Sequence, residues 1–598
     1  MVRIRSGGPG TSVQFKVLIQ DQSVINEDRT LSAIHPMVVH TPVGFRDGPA
    51  TARVAVVDVD ASTGRLRAPA KLVLNAGTYR GVGEYRVRLP QRPGAATRPQ
   101  LRGVTTPMTL AELESASGDE AFIKVSVFGT VLRTIGFVES PDLVGRRVSW
   151  AFQGDQLLIV PLAGTLDNAF YHRPSRSLQF YSFAAPGRNG LIHTALSQDI
   201  VCHETAHALI DGIAPDLYSA TDPESLGIHE GVADLTAVLL SLRNRELPTN
   251  KSGDVLDQAR VSSRHSRIAE EFGRARGQSQ SLRDAFNQLM FGPASDPMAE
   301  IADRASPYSS ASVLTGTLFA VLTKFLAEPF TRRPRGRLPG LREFPFRPAA
   351  FLATNRIGGM VYRGLDWLPP GEATFADLIG AMLAADRVAN PTEERERGWL
   401  LDESVRRGIT TSDALLPTTG RATELRVPID VPIASVSAFV KRNREAFGVP
   451  ANVKPTVALR PAGVIEPPRN LDEAMKDPVE LDRAYRTKEP IARLLKVAWR
   501  ERCRITLGSD FPGQCDVKRG TTIAVDNEGH VLSVLTSGRG AQPAGRQTFL
   551  QRLVDSGSLI PASESVTPGL GLRAAVVDGA LRLDGALEAL HVADAFVD

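Results

Sequence analysis

Cysteine is nearly absent. The 598 residues hold three: Cys202, Cys503 and Cys515. An odd count this low excludes a disulfide framework. Three thiolates also cannot complete an all-cysteine zinc site, which takes four. Such cysteine usage fits a reducing compartment. Lysine is scarce too, with 11 of the 70 basic residues, the rest being arginine. The net charge of +4 is small for this length and does not argue for a nucleic-acid partner. Long apolar runs are missing. No uninterrupted stretch reaches the roughly 18 apolar residues of a membrane span, and the longest candidate, around Thr315–Ala327, is broken by Lys324. No membrane is expected as a partner. The start, Met1 to Gly10, runs into Gly and Pro with no apolar core of a signal peptide. The expected location is cytoplasmic, with export by a non-classical route left open.

What is present is ordinary for a folded chain: 42% apolar and 23% charged residues. At about 150 residues per domain, the length suggests three or four domains. Residues 1–118 read as a β-rich N-terminal region, with Arg53–Asp60, Lys71–Leu74 and Glu84–Leu89 as short strand-like runs. Residues 119–245 read as a zinc-binding lobe, 246–415 as a helical lobe, and 416–598 as a linker and a C-terminal α+β module. Ala121–Val138 is apolar and free of Pro, which predicts a buried helix. Strands are expected at Arg147–Phe152, Gln156–Val160 and Ser177–Phe183. Helices are expected at Gln198–Ile213, Gly227–Arg243, Ile268–Gly273, Leu282–Met290, Ser309–Leu326 and Phe375–Ala389. Thr331–Arg347 carries six Arg among Pro and Gly; it reads as a solvated loop or an anion-binding edge. Pro417 to about Pro490 is punctuated by Pro and reads as a linker followed by irregular structure. Further on, Thr521–Val525 and Val531–Leu535 predict a hairpin.

The chemistry concentrates in His203-Glu204-Thr205-Ala206-His207. Two His at i and i+4 share one face of a helix, so their imidazoles can converge on one metal ion. Glu204 stands about 100° round the helix, beside such an ion, where it reaches a bound water. The competing explanation is a helix with two satisfied His. The next predicted helix carries His229-Glu230-Gly231-Val232-Ala233-Asp234, with 22 residues between His207 and Glu230. Two His and one Glu leave a fourth zinc position open for water, which is a catalytic arrangement. Asp234, one turn after Glu230, can accept the free N–H of a metal-bound His.

Over roughly residues 120–410 the sequence resembles the gluzincin metallopeptidases, the thermolysin-like and fungalysin-like group. Asp199 to Asp211 is similar to the zinc helix of that family. The resemblance implies a two-lobed α+β metallopeptidase core, made of a mixed β/α lobe and a helical lobe. It implies a zinc-dependent endopeptidase acting on a protein or peptide substrate through a Glu-activated, zinc-bound water. His203, His207 and Glu230 would hold one catalytic Zn²⁺, with Asp234 behind them. Tyr218 falls where the family has a Tyr on the tetrahedral intermediate. Asn168-Ala169 falls on its substrate-binding strand. Phe375–Ile409 resembles the closing helices of the fungalysin group.

The chain also departs from that pattern. The family's helical lobe supplies a His to the oxyanion, but no His lies between His265 and His530. Tyr308, at a predicted helix start, is the best substitute, since a phenol O–H is a good donor; a core Tyr is the alternative. His229 replaces the usual Asn and is either a partner of His207 or a surface residue. Ser241 stands where calcium-binding members carry an acid, so a double Ca²⁺ site is in question although Asp199 is retained. The alternative to an enzyme is a catalytically impaired, peptidase-fold binding protein, and a protein partner through the N- or C-terminal regions is open.

Overall fold

The computed structural model describes residues 11–19, 21, 34–41, 44–60, 62–73, 82–87, 119–185, 191–244, 265–277, 281–292, 300–331, 346–411, 421–461, 492–538, 543–561, 572–583, 585–587 and 590–591. Most of the Arg-rich segment 331–347 lies outside them, as do 417–420 and 462–490 of the expected linker; its described part, 421–461, is not a linker but contains a helix and a strand of a packed module. The fold is mixed α and β, and the chain divides into two compact units. The first comprises Met1–Phe137, Ser149–Leu209 and Thr236–Asp284; the second comprises Val138–Val148, Ile210–Leu235 and Ala285–Asp598.

In the first unit, β1 (Thr11–Leu18), β2 (Ile34–Thr41), β4 (Leu72–Val73) and β5 (Val82–Tyr85) form a sheet in the order β2-β1-β5-β4. A second sheet has the order β3-β6-β8-β7, from β3 (Val54–Val56), β6 (Leu157–Val160), β7 (Ala169–His172) and β8 (Ser177–Phe180). Strand β7 pairs antiparallel with β8 and stands at the edge of that order. A short hairpin follows, from β9 (Ser182–Ala184) and β10 (Leu191–His193). Helix α1 (Glu120–Val138) is the apolar run expected from sequence, and Phe122, Ile123, Val127, Phe128 and Val131 on it are buried. Phe15 of β1 packs its ring 5.7 Å from that of Phe128.

Helices α2 (Gln198–Ile213) and α3 (Pro223–Leu242) contribute residues to both units, as α1 does at its last residue, Val138. Helix α4 (Glu270–Ala275) follows the short strand β11 (Arg267–Ile268), which pairs with β12 (Arg283–Asp284). The helix expected over Leu282–Met290 is therefore corrected. Its backbone groups are engaged elsewhere: Leu282 N–H donates to Ile268 O at 3.1 Å, and Met290 N–H to Glu300 O at 3.0 Å. Leu289 N–H, which a helix would pair with Ala285 O, goes to the Asn287 side-chain Oδ1 at 3.1 Å, so the ladder is not formed. The expected strand Arg147–Phe152 is likewise absent; Trp150 stacks on Phe152 at 5.8 Å under the Arg53 guanidinium.

The second unit holds α5 (Pro307–Thr331), α6 (Phe346–Trp367), α7 (Phe375–Ala389) and α8 (Glu394–Arg406). Helix α7 begins where a capping box forms between Thr374 and Asp377. Asp386 of α7 binds Arg356 of α6, and Arg397 of α8 at 3.1 Å. Helix α9 (Ile433–Arg442) lays Val436 and Val440, one turn apart, onto a sheet built from β13 (Thr456–Pro461), β14 (Arg493–Arg504), β15 (Gln514–Val525) and β16 (Val531–Thr536). Leu495, Val497, Ile523 and Val525 complete that core. The expected hairpin is β15–β16. Helix α10 (Pro543–Asp555), the pair β17 (Leu559–Ile560) and β18 (Leu572–Arg573), and the strands β19 (Ala575–Val577) and β20 (Ala580–Arg582) end the described chain.

By length and composition Glu120–Val138, Pro223–Leu242 and Pro307–Ala327 are apolar enough to cross a membrane, which the sequence reading did not anticipate. Their windows are 78%, 94% and 72% buried inside the protein. Most of each helix is thus covered by the protein itself.

Candidate metal centre

In the first unit, α2 is buried on all sides over Val201–Leu209. His203, Glu204 and His207 therefore sit in the interior, at 8%, 5% and 0% exposure. The two rings stand edge to face with centroids 4.5 Å apart, and their Nε2 atoms are 2.9 Å apart. Two ligands of a tetrahedral ion at about 2.05 Å would be about 3.3 Å apart, so the pair is close to a metal-ligating separation. The ligand atoms of His203, Glu204 and His207 all lie within 4.8 Å of one another. Nitrogen donors with a carboxylate suit a divalent transition metal, and the donor set fits such an ion.

Glu204 is positioned by the edge strand. The Tyr171 backbone N–H of β7 donates to Glu204 Oε2 at 2.8 Å. Asn168 precedes β7, and its Oδ1 accepts the Ala169 N–H at 2.8 Å, a bond that orients the strand entrance. Asn168 and Ala169 thus form the entrance of the strand that holds Glu204.

In the second unit, Tyr218 lies in a 3₁₀ turn (Pro215–Ser219) and is buried at 1% exposure. Its ring meets that of His229 edge-on at 6.4 Å. His229 is fully buried, which excludes the surface alternative. Glu230 and Asp234 are also buried on α3. That helix packs closely on α5 because two glycines face it. A Cβ on Gly231 would stand 3.1 Å from Leu314 Cδ2, and one on Gly227 would stand 3.2 Å from Pro307 O. Tyr308 is half-buried in the first turn of α5.

The start of α3 is held by ions. Asp222 Oδ1 accepts the Glu224 N–H at 3.0 Å. Arg546 of α10 reaches Glu372 at 2.6 Å, Asp222 at 3.3 Å and the Thr221 hydroxyl at 3.0 Å. Burial, with the Glu372 carboxylate close by, pushes Asp222 up to about 7. One residue was missed from sequence. His591, near the end of the described chain, places Nε2 2.8 Å from Glu230 Oε1, with both side chains buried. No local signal marks it, since 361 positions separate the two.

No family model matches the chain, and the search of curated proteins finds no relative. Among solved structures, the precursor of protealysin, a metalloproteinase from Serratia proteamaculans, is similar over 48% of this chain and 77% of its own. The identity is 14% and the TM-score 0.30. A likeness at that score establishes neither a shared architecture nor an activity.

Proposed function

We propose that the chain is a zinc-dependent endopeptidase with the two-lobed, thermolysin-like arrangement of the gluzincins. The observation that carries this reading is the buried pair of imidazole Nε2 atoms, 2.9 Å apart, with Glu204 on the same helix. His203, His207 and Glu230 would hold one Zn²⁺, and Asp234 would orient a ligating imidazole. When bound, the ion supplies Lewis-acid polarisation and acidifies water towards neutral pH. Glu204, fixed by the Tyr171 N–H, takes a proton from the attacking water and delivers it to the leaving amine. Tyr218 and Tyr308 donate to the developing oxyanion. The edge strand β7, entered through Asn168 and Ala169, would align an extended protein or peptide substrate by strand addition. Action in the cytoplasm, with the N- and C-terminal regions choosing the substrate, completes the proposal.

The test is cleavage of a mixed peptide library by the full chain. Glu204→Gln should keep its metal and lose cleavage by roughly 10²–10⁴-fold, the usual contribution of a general acid–base. Equal turnover in that variant would remove Glu204 from the mechanism.

The contact of His591 with Glu230 favours a second reading. A fourth protein ligand would close the ion, as in structural zinc sites, and the chain would be a peptidase-fold binding protein. Zinc bound with no library cleavage, and cleavage gained in His591→Ala, would support it.

A further inference from the structure

Cys503 and Cys515 stand directly opposite each other in the antiparallel ladder of β14 and β15, and both are free thiols. Opposed Cα atoms in such a ladder are about 4.5–5.5 Å apart, inside the roughly 4.4–6.8 Å that a disulfide spans. Opposed side chains also leave the same face of the sheet. Beyond the pair, Ile505 N–H donates to Gly513 O at 3.1 Å, which makes 505 and 513 a hydrogen-bonded pair. Such pairs alternate, so Cys503 and Cys515 are a hydrogen-bonded pair as well. There the opposed Cβ atoms are wider than the ~3.8 Å a relaxed disulfide prefers. A bond between them is reachable but strained, and strained disulfides are the readily reduced, reversible ones.

The two thiols differ in access and in proton affinity. Cys503 is half-buried between exposed Arg502 and Arg504, whereas Cys515 is fully buried. The hydrogen bond from Cys515 lowers Cys503 to about 6, against the effect of burial and with help from Arg546 and Arg519. The same bond, together with burial, pushes Cys515 up. Thiolate character thus sits on the accessible sulfur, with a resolving thiol beside it. Cys202, inside α2, is pushed up to about 12 by burial and serves as an inert reference.

We propose that Cys503 and Cys515 form a reversible dithiol–disulfide site for low-molecular-weight disulfides, of which glutathione disulfide is the probe. The Cys503 thiolate attacks one sulfur of the probe. The probe's S–S bond breaks, a mixed disulfide forms on Cys503, and one glutathione leaves as thiolate. Cys515 then attacks the Cys503 sulfur, and the second glutathione leaves carrying the Cys515 proton. Two protein thiols are oxidised and one glutathione disulfide is reduced. Arg546, which faces the pair, also holds Glu372 at 2.6 Å, so the site borders the ion cluster at the start of α3.

The experiment treats the folded full chain with glutathione disulfide, quenches with an alkylating agent and maps the peptides by mass spectrometry. The expected result is loss of two of the three free thiols, a Cys503–Cys515 cross-linked peptide, and full reversal in reduced glutathione. Cys515→Ser should stall with glutathione on Cys503, Cys503→Ser should leave the protein unreacted, and Cys202→Ser should behave as the wild type. Three thiols left free, or a mixed disulfide that persists on wild-type Cys503, overturns the proposal. The wild-type map decides this even if a variant fails to fold, and independently of whether the chain is a peptidase.

Discussion

Helices α1 and α2 are both long and buried, and both carry ionisable side chains inside, yet they bury them on opposite terms. Lys124 of α1 meets Asp58 at 2.6 Å and the Ala68 carbonyl at 2.9 Å, so its charge and its donors are answered. On α2, His203 and His207 turn two nitrogens of one kind toward each other at 2.9 Å, and Glu204 is held beside them by a backbone N–H. A charge matched by its opposite is architecture. The two imidazoles can share a single hydrogen bond or, with both ring nitrogens unprotonated, present a pair of ligands to a cation. Burial alone does not mark a functional site; the chemistry of what the buried group faces does.

Replacing Lys124 by Met is the strongest way to sharpen that contrast. Stability should fall by about 3 kcal/mol, the low end for a broken buried pair, because Arg67 also reaches Asp58 at 3.3 Å. Metal content per folded chain should stay unchanged. Denaturant unfolding and metal analysis check both halves, and loss of metal in this variant would dissolve the distinction.

A third buried group in the same unit is of one sign. Asp21 is pushed up to about 8 by burial, with the Asp199 and Glu271 carboxylates adding repulsion, while Ser197 and the Glu271 N–H oppose. Glu270 rises to about 9 for the same reasons, with Asp199 and Asp21 close by. A folded-state value above the unfolded one gives stability that is complete below about pH 4 and is lost as the pH climbs through about 8. Asp21→Asn should therefore match the wild type near pH 3.5 and exceed it by on the order of 2 kcal/mol already near pH 5, with the gap widening towards pH 8. A pH-independent difference between the two proteins would refute the assignment.

The smallest effect belongs to the strand edge. Asn168→Ala loses the side-chain acceptor for the Ala169 N–H, worth about 1 kcal/mol. If β7 binds substrate, KM should rise about fivefold with kcat nearly constant, measured on a peptide drawn from the library. A fall in kcat alone would place Asn168 elsewhere in the mechanism.

The legible parts of the sequence were those with local causes. Helix α2 covers Gln198–Ile213 as its unbroken pattern predicted, and α7 starts at Phe375 where Thr374 and Asp377 supply a capping box. The His203 and His207 pair was readable because helical periodicity alone sets it. Leu282–Met290 misled because the N–H groups its ladder would need go to the Asn287 side chain and to Glu300 O, a partner outside the segment. His591 was invisible for the same reason, since its partner Glu230 is met only through the folded chain. Cys503 and Cys515 carry no motif and become a pair only through the β14–β15 register.

The central claim is that the imidazoles of α2 hold a metal ion, and metal analysis of the purified chain tests it most directly. One zinc per wild-type chain, lost from His207→Ala but kept in Glu204→Gln, is the predicted result. No bound metal in the folded wild type, or equal metal in His207→Ala, would contradict it.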